Sequence, residues 1–469
     1  MHTKHFLWAA ILSALFLAPA ASAKPNIVYI LADDQGWGDL GCYGSKDVQT
    51  PNMDRLATQG IRFTNCYCGS AVCAPERCTL MTGLHTGHAR RRDNEAKGKK
   101  DSFEGRPLLP LEPGDLTIAS VLHDAGYATG GFGKWGLGNP GTTGVPEKHG
   151  FDVFFGYYDQ VHAHDYYTGY LIRNSRQVEI PENKNGRKGV YSHDRIAAES
   201  LKWIREQAQN KDRPFFAYLP YTIPHGNHVA PDDELLKMYA DKPWPEVAKV
   251  YAAMLTRLDR TVGQILDLIK ELGIEDNTIV FYASDNGATA EFARTLHSNG
   301  PFRGVKTQLY EGGLRCPMIV RWPGKTPVGK SSEFAWNQVD IFPTFCEIAG
   351  VQPPAGTKLD GISVLPAITG HDQQIDRKLY WEIYTPFQQA ARWGNWKAIR
   401  FGTADPAELY DLSKDIGEQN NVAAQHPDVA RELEAYMTSQ HVDTPYWPTV
   451  EHGRGGAKKG GKGKKKATE

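Results

Sequence analysis

Asn26-Ile27-Val28-Tyr29-Ile30-Leu31-Ala32-Asp33-Asp34 is the stretch on which the fold turns. The apolar run 26–31 is too short for an ordinary helix and reads as a strand buried on both faces, ending in two carboxylates. A second run, 278–283, ends the same way in Ser284-Asp285-Asn286. Residues 127–133 form a glycine-rich strand running into Lys134, and 214–219 form a strand leading to His225. Helical patterns fall between these strands: 52–59, 75–83, and 194–208 with Ser192 as its cap. Val250, Met254, Leu258, Val262, Ile265, Leu266 and Ile269 then make one apolar face of a long helix stopped by Gly273.

Strands alternating with helices predict an α/β fold: a large, mainly parallel sheet sandwiched by helices. Ligands of such sheets sit beyond the carboxyl ends of the strands, where the acidic and basic residues above fall. After residue 368 the texture changes to short strand-like runs, 379–384 and 396–400, and one helix, 427–438. These predict a smaller C-terminal α+β domain carrying a short antiparallel sheet. The chain contains no internal repeats.

At 469 residues, two domains are expected, one of them large. Residues 1–23 pair a short basic start with an apolar core and Ala21-Ser22-Ala23, the pattern of a signal peptide and too short for a membrane span. The expected division is signal peptide 1–23, catalytic domain 24–368, C-terminal domain 369–452 and a basic Gly/Lys tail 453–469. The protein is expected to be exported, periplasmic or secreted, with no transmembrane segment after cleavage. The tail carries seven Lys or Arg against one Glu, and composition reads it as a disordered, solvated appendage. The rest of the mature chain is acidic, with no basic footprint for nucleic acid. Seven cysteines are present. Setting Cys73 aside, six are compatible with three bridges but establish none.

Asp33, Asp34, Asp285 and Asn286 bring four oxygen-bearing side chains to the ends of two strands. Asp and Asn often merely terminate strands. Two such pairs in one predicted crevice favour a hard divalent cation, calcium or magnesium. Cys73-Ala74-Pro75-Glu76-Arg77 places a thiol just before a proline suited to a first helical turn, with a guanidinium four residues on.

That segment resembles the sulfatase signature, in which the cysteine is oxidised to formylglycine. The resemblance extends in family order from about residue 25 to 436. It includes Pro25-Asn26-Ile27-Val28 with Asp33-Asp34, Thr50-Pro51-Asn52-Met53-Asp54-Arg55, and Ser284-Asp285-Asn286-Gly287. Phe302-Arg303-Gly304-Val305-Lys306, Tyr310-Glu311-Gly312-Gly313 and Glu408-Leu409-Tyr410-Asp411-Leu412 continue it. The resemblance implies an alkaline phosphatase-like fold and a formylglycine-dependent hydrolase of sulfate esters, served by a formylglycine-generating maturation enzyme. Asp33, Asp34, Asp285, Asn286 and the modified Cys73 would hold one cation, calcium before Mg2+. Arg77 would support the nucleophile, Lys134 and Lys306 would bind sulfate oxygens, and His225 would protonate the leaving alcohol.

Two departures stand out. Glu76 replaces the usual serine, and Gly136 stands where the family usually has a histidine that contacts formylglycine. On an extended segment, His162 and His164 would point the same way, and either is expected to replace that base or to contact substrate. Gln388 and Arg392, with Glu382, Gln389 and Trp393, are expected to meet a sugar. The expected substrate is a sulfated carbohydrate, a galactose or N-acetylgalactosamine sulfate. The alternatives are a phosphomonoester or phosphodiester hydrolase on the same fold, and a non-catalytic sulfated-glycan binder whose Cys73 is never oxidised.

Overall fold

In a computed structural model of the chain, the strand Asn26–Ala32 lies inside a ten-stranded sheet. The structure describes residues 24–94, 102–103, 106–107, 109–371 and 375–452. The expected signal peptide and basic tail lie outside the described residues.

From edge to edge the sheet runs Lys330–Ser332, Ile61–Phe63, Met318–Arg321, Thr278–Ser284, Asn26–Ala32, Phe215–Pro220, Ala128–Lys134, Val153–Tyr157, Tyr170–Arg173 and Arg176–Glu179. Its five central strands, Thr278–Ser284 through Val153–Tyr157, are mutually parallel, and antiparallel pairs flank them. Alternation along the central strand sends Ile27, Tyr29 and Leu31 to one face and Val28, Ile30 and Ala32 to the other. The first set packs on Cys78, Leu80 and Met81 of helix Cys73–Thr82 and on helices Ile118–Asp124 and Ile341–Ala349. The second set meets Met53 and Leu56 of helix Pro51–Thr58, Ile196 and Trp203 of Ser192–Gln207, and Met254 and Leu258 of Glu246–Glu271. Each fully buried aliphatic side chain contributes about 1.5–3 kcal/mol. The central strand therefore has to be apolar throughout.

Two boundaries differ from expectation. The helix predicted from residue 75 begins at Cys73, two residues before Pro75, because the proline's missing N–H falls among the first-turn donors that no helix satisfies internally. Ser192 is the first residue of its helix, and Tyr191 precedes it without a side-chain cap bond. All seven cysteines are free thiols, so no bridge forms from the six.

The antiparallel sheet of Lys378–Tyr384, Phe387–Trp393, Trp396–Arg400 and Glu408–Asp411 carries helix Pro427–Gln440 on one face. Its other face, with Trp381, Ile383 and Ile399, joins the core of the large sheet. A buried charge cluster ties the two parts together: Lys397 Nζ lies 2.8 Å from Glu311 and 3.1 Å from Glu418. Arg315 lies 2.7 Å from the same Glu311. Burial alone would push the Glu311 carboxyl up, but Lys397 and Arg315 outweigh it and hold Glu311 well below the usual range.

Candidate active site

Parallel register builds the acidic half of the site. Ala32 pairs with Ser284, so the chains leave the sheet together and set Asp33 and Asp34 beside Asp285 and Asn286. The Asp34 N–H donates to Asp285 Oδ1 at 3.0 Å, and Asn286 Nδ2 donates to Asp34 Oδ1 at 2.8 Å. Asp34 adopts φ 65°, turning the chain sharply after the strand. All four side chains are buried.

Three cationic side chains surround them. Arg77 donates to Asp33 at 3.1 Å, to Asp285 at 3.2 Å and to the Lys134 carbonyl at 2.8 Å. Lys134 Nζ lies 2.7 Å from Asp33, and Lys306 Nζ lies 2.6 Å from Asp34. Burial pushes Asp33 up, yet Lys134 and the other cations overcome it and hold the carboxyl well below its ordinary value. Asp285 goes the other way: burial raises it, and the adjacent Asp33 charge raises it further. Three crowded carboxylates are a poor arrangement by themselves and a good one around a cation.

The oxygen donors fit a divalent ion. Ligating atoms of Asp33, Asp34 and Asp285 lie within 4.8 Å of one another. Asp33 Oδ1 and Asn286 Oδ1 are buried without a hydrogen-bond partner among the described residues. Buried oxygens are rarely left that way unless an ion or water completes them. The set is all hard oxygen, as calcium or magnesium requires.

Cys73 opens its helix at the rim of this cluster, and Asp33, Cys73 and His225 also place ligating atoms within 4.8 Å. Cys73 Sγ lies 3.3 Å from Gln160 Oε1 and 3.8 Å from Asn94 Oδ1, which also accepts the Ala74 N–H at 3.2 Å. His225 Nε2 lies 3.6 Å from Asp34, and burial, reinforced by Lys134, pushes its imidazole down to about 3. His225 is therefore neutral at ordinary pH. Glu76 caps a loop beside the cluster. Its Oε2 accepts the N–H groups of Gly69 and Ser70.

The sequence thus anticipated a single cluster of Asp33, Asp34, Cys73, Arg77, Lys134, His225, Asp285, Asn286 and Lys306, and these side chains do converge. The two histidines do not share a face. Residues 162–164 form a 3-10 turn rather than an extended segment, so side chains two apart diverge. His164 lies against His225, with ring centroids 4.4 Å apart. His162 turns into packing with Tyr157 and Tyr170 and bonds Thr168 at 2.7 Å. Gln388 and Arg392 are corrections too, because both side chains are buried and spent inside the protein. Gln388 accepts from the Leu309 N–H and donates to the Thr307 carbonyl, bracing the loop of Lys306. Arg392 bonds the Tyr67 hydroxyl beside the Glu311 cluster. Glu382 is likewise buried, paired with Arg92 at 2.9 Å. Sequence reasoning missed Gln160 and Asn94, and a lone amide in a loop carries no signal that would have found them.

Fold and site together define an ester hydrolase of the alkaline phosphatase-like class. The family model described as Sulfatase matches residues 25–351, and the model for the N-sulphoglucosamine sulphohydrolase C-terminal region matches 304–443. The chain belongs to the sulfatase family and is a sulfuric ester hydrolase. It is 33% identical over 385 residues to human N-acetylgalactosamine-6-sulfatase, covering 78% of this chain and 69% of the relative. It is 30% identical over 500 residues to N-acetylgalactosamine-6-O-sulfatase of Bacteroides thetaiotaomicron, covering 89% and 93%. Among solved structures, Ps i-CgsB in complex with k-i-k-neocarrahexaose superposes with a TM-score of 0.79 at 28% identity, covering 91% of this chain and 95% of that one. Agrobacterium radiobacter phosphonate monoester hydrolase shares the fold, with a TM-score of 0.65 at 20% identity, covering 91% and 100%.

Proposed function

We propose that the protein hydrolyses a sulfate ester of a carbohydrate, a galactose or N-acetylgalactosamine sulfate, with formylglycine formed from Cys73 as nucleophile. The observation that carries the reading is the convergence of Cys73, Arg77, Lys134, His225 and Lys306 on one acidic cluster. The names of the relatives support the carbohydrate part. Asp33, Asp34, Asp285 and Asn286, with residue 73, would hold one divalent cation, calcium in preference to magnesium. Such an ion supplies positive charge opposite both the nucleophile and the anionic sulfate. The hydrated aldehyde supplies a nucleophile with a second hydroxyl, through which the aldehyde can be regenerated.

The chain's own residues do the rest. Arg77 fixes Asp33 and Asp285 together and holds the Lys134 segment against them. Lys134 and Lys306 offset the charge of a bound sulfate, and their effect is large because the site is buried. His225 would offer an N–H to the bridging oxygen; a bound anionic sulfate favours its protonated form, and that imidazolium would deliver a proton to the departing alcohol. His164, against its ring, is the remaining candidate for a substrate contact.

Export to the periplasm or beyond and maturation by a formylglycine-generating enzyme belong to the same proposal, and N-terminal sequencing of the mature protein tests the export. The central test combines mass spectrometry of the peptide across residue 73 with parallel turnover of 4-nitrophenyl sulfate, 4-nitrophenyl phosphate and sulfated galactose and N-acetylgalactosamine. Formylglycine together with preference for the sulfates is the expected result. Unmodified cysteine in active protein, or faster phosphate turnover, would overturn the reading in favour of a phosphoester hydrolase.

A further inference from the structure

We propose that Gln160 is a catalytic residue, its amide filling the place left open at Gly136 and hydrogen-bonding the nucleophile at residue 73. The inference rests on the formylglycine reading above, with the Cys73 thiol standing in for a hydroxyl of the hydrated aldehyde. Three observations meet at this point. Gln160 Oε1 lies 3.3 Å from Cys73 Sγ. Gln160 Nε2 is buried and has no hydrogen-bond partner among the described residues. A Cβ built on Gly136 would come within 2.0 Å of that same Nε2. Gly136 also sits at φ 78°, where a side chain is strained.

Gly136 and Gln160 are therefore two halves of one feature, and the surroundings hold both in place. The Gly136 N–H donates to the Tyr158 carbonyl at 3.0 Å, and Arg91 Nη1 donates to the Gly136 carbonyl at 2.9 Å. Asp159 Oδ1 accepts the N–H groups of Val161 at 2.7 Å and His162 at 3.1 Å, fixing the turn that presents Gln160. Asn139 bonds the other Asp159 oxygen at 3.3 Å. His162 is committed to Thr168, so the side chain at the nucleophile is the amide two residues earlier.

The chemistry differs from that of an imidazole. A primary amide offers one acceptor and two donors and does not titrate. It can orient a hydroxyl and stabilise the hydrate over the free aldehyde, but it cannot take a proton, so no proton transfer is assigned to it. Its contribution is constant across the pH range in which a histidine would change charge.

The experiment uses full-length protein co-produced with a maturation enzyme. Formylglycine content is measured by mass spectrometry, and oxime formation with methoxyamine at residue 73 is followed per aldehyde. Losing one hydrogen bond to the hydrate should speed oxime formation about two- to ten-fold in Gln160→Ala, and kcat should fall. Gly136→Ala should reproduce both effects, because its methyl displaces the amide, and the double variant should add little. In Gly136→His/Gln160→Ala, which restores an imidazole where space has been made, a titrating limb absent from the wild type should enter the pH–rate profile. Wild-type oxime rate and kcat in Gln160→Ala that carries formylglycine would overturn the proposal, as would a change confined to thermal stability. Absence of formylglycine from active wild-type protein would instead overturn the reading beneath it.

Discussion

The backbone N–H of Asp34 donates to Oδ1 of Asp285 at 3.0 Å, across 251 positions of sequence. That bond exists because the two parent strands are parallel neighbours in register, and it makes the acidic cluster a property of the sheet. Asp285→Asn keeps the shape and the acceptor but removes a charge. The variant should fold, lose bound calcium by elemental analysis, and lose at least about 100-fold in kcat, the scale of removing one electrostatic stabiliser. Chelation of the wild-type protein should reproduce the loss, and calcium should restore activity to the wild type alone.

Cys73→Ala should leave the fold nearly untouched. Among the described residues the thiol's hydrogen bonds are the weak ones to Gln160 and Asn94, so its loss should cost about 1 kcal/mol or less. Turnover should nevertheless disappear. A melting temperature within a few degrees of wild type alongside inactive protein is the expected pair of results.

His225→Ala separates substrates by leaving group. An imidazole that hydrogen-bonds the bridging oxygen, and protonates it once charged in the substrate complex, matters most where the departing alcohol is a poor leaving group. Loss on a sugar sulfate should approach the 10²–10⁴-fold typical of general acids, approximately, while 4-nitrophenyl sulfate should lose far less. Equal losses on both substrates would remove His225 from the proton-transfer role.

Glu76 carries a pH signature of its own. Burial, followed by the neighbouring Cys316 and Asp285, raises its carboxyl well above the ordinary value. The folded state then binds the proton more tightly than the unfolded chain. Its contribution is whole below about pH 4.3 and is lost as pH rises toward the folded value. Glu76→Gln keeps an acceptor for Gly69 and Ser70 and cannot ionise, so its melting temperature relative to wild type should climb as pH rises. Glu76→Ala leaves two N–H groups unpaired and should cost about 1–3 kcal/mol at any pH. Calorimetry of the three proteins across pH 5–9 checks both.

What the sequence by itself determined is carried by local signals. The run Ile27–Val28–Tyr29–Ile30–Leu31 is apolar at every position and too short for an ordinary helix, as a strand covered on both faces is, and helical patterns alternate with such strands, so the α/β architecture was legible. The terminal Asp-Asp and Asp-Asn pairs, the Cys-x-Pro-x-Arg segment and Lys134 were legible because each lies beside an element whose direction is predictable, whereas Lys306, in a loop between two helices, entered only through the resemblance. The tertiary structure alone decided the rest. Whether His162 and His164 share a face depends on a 3-10 turn that no periodicity announces. Whether Gln388 and Arg392 reach solvent or the Lys306 loop and Tyr67 depends on how the C-terminal sheet docks. That Gln160 occupies the space beside Gly136 is a contact between a glycine without a side chain and an amide in a loop. Neither residue has a pattern of its own, because the information lies in the distance between them, and the distance exists only once the chain has folded.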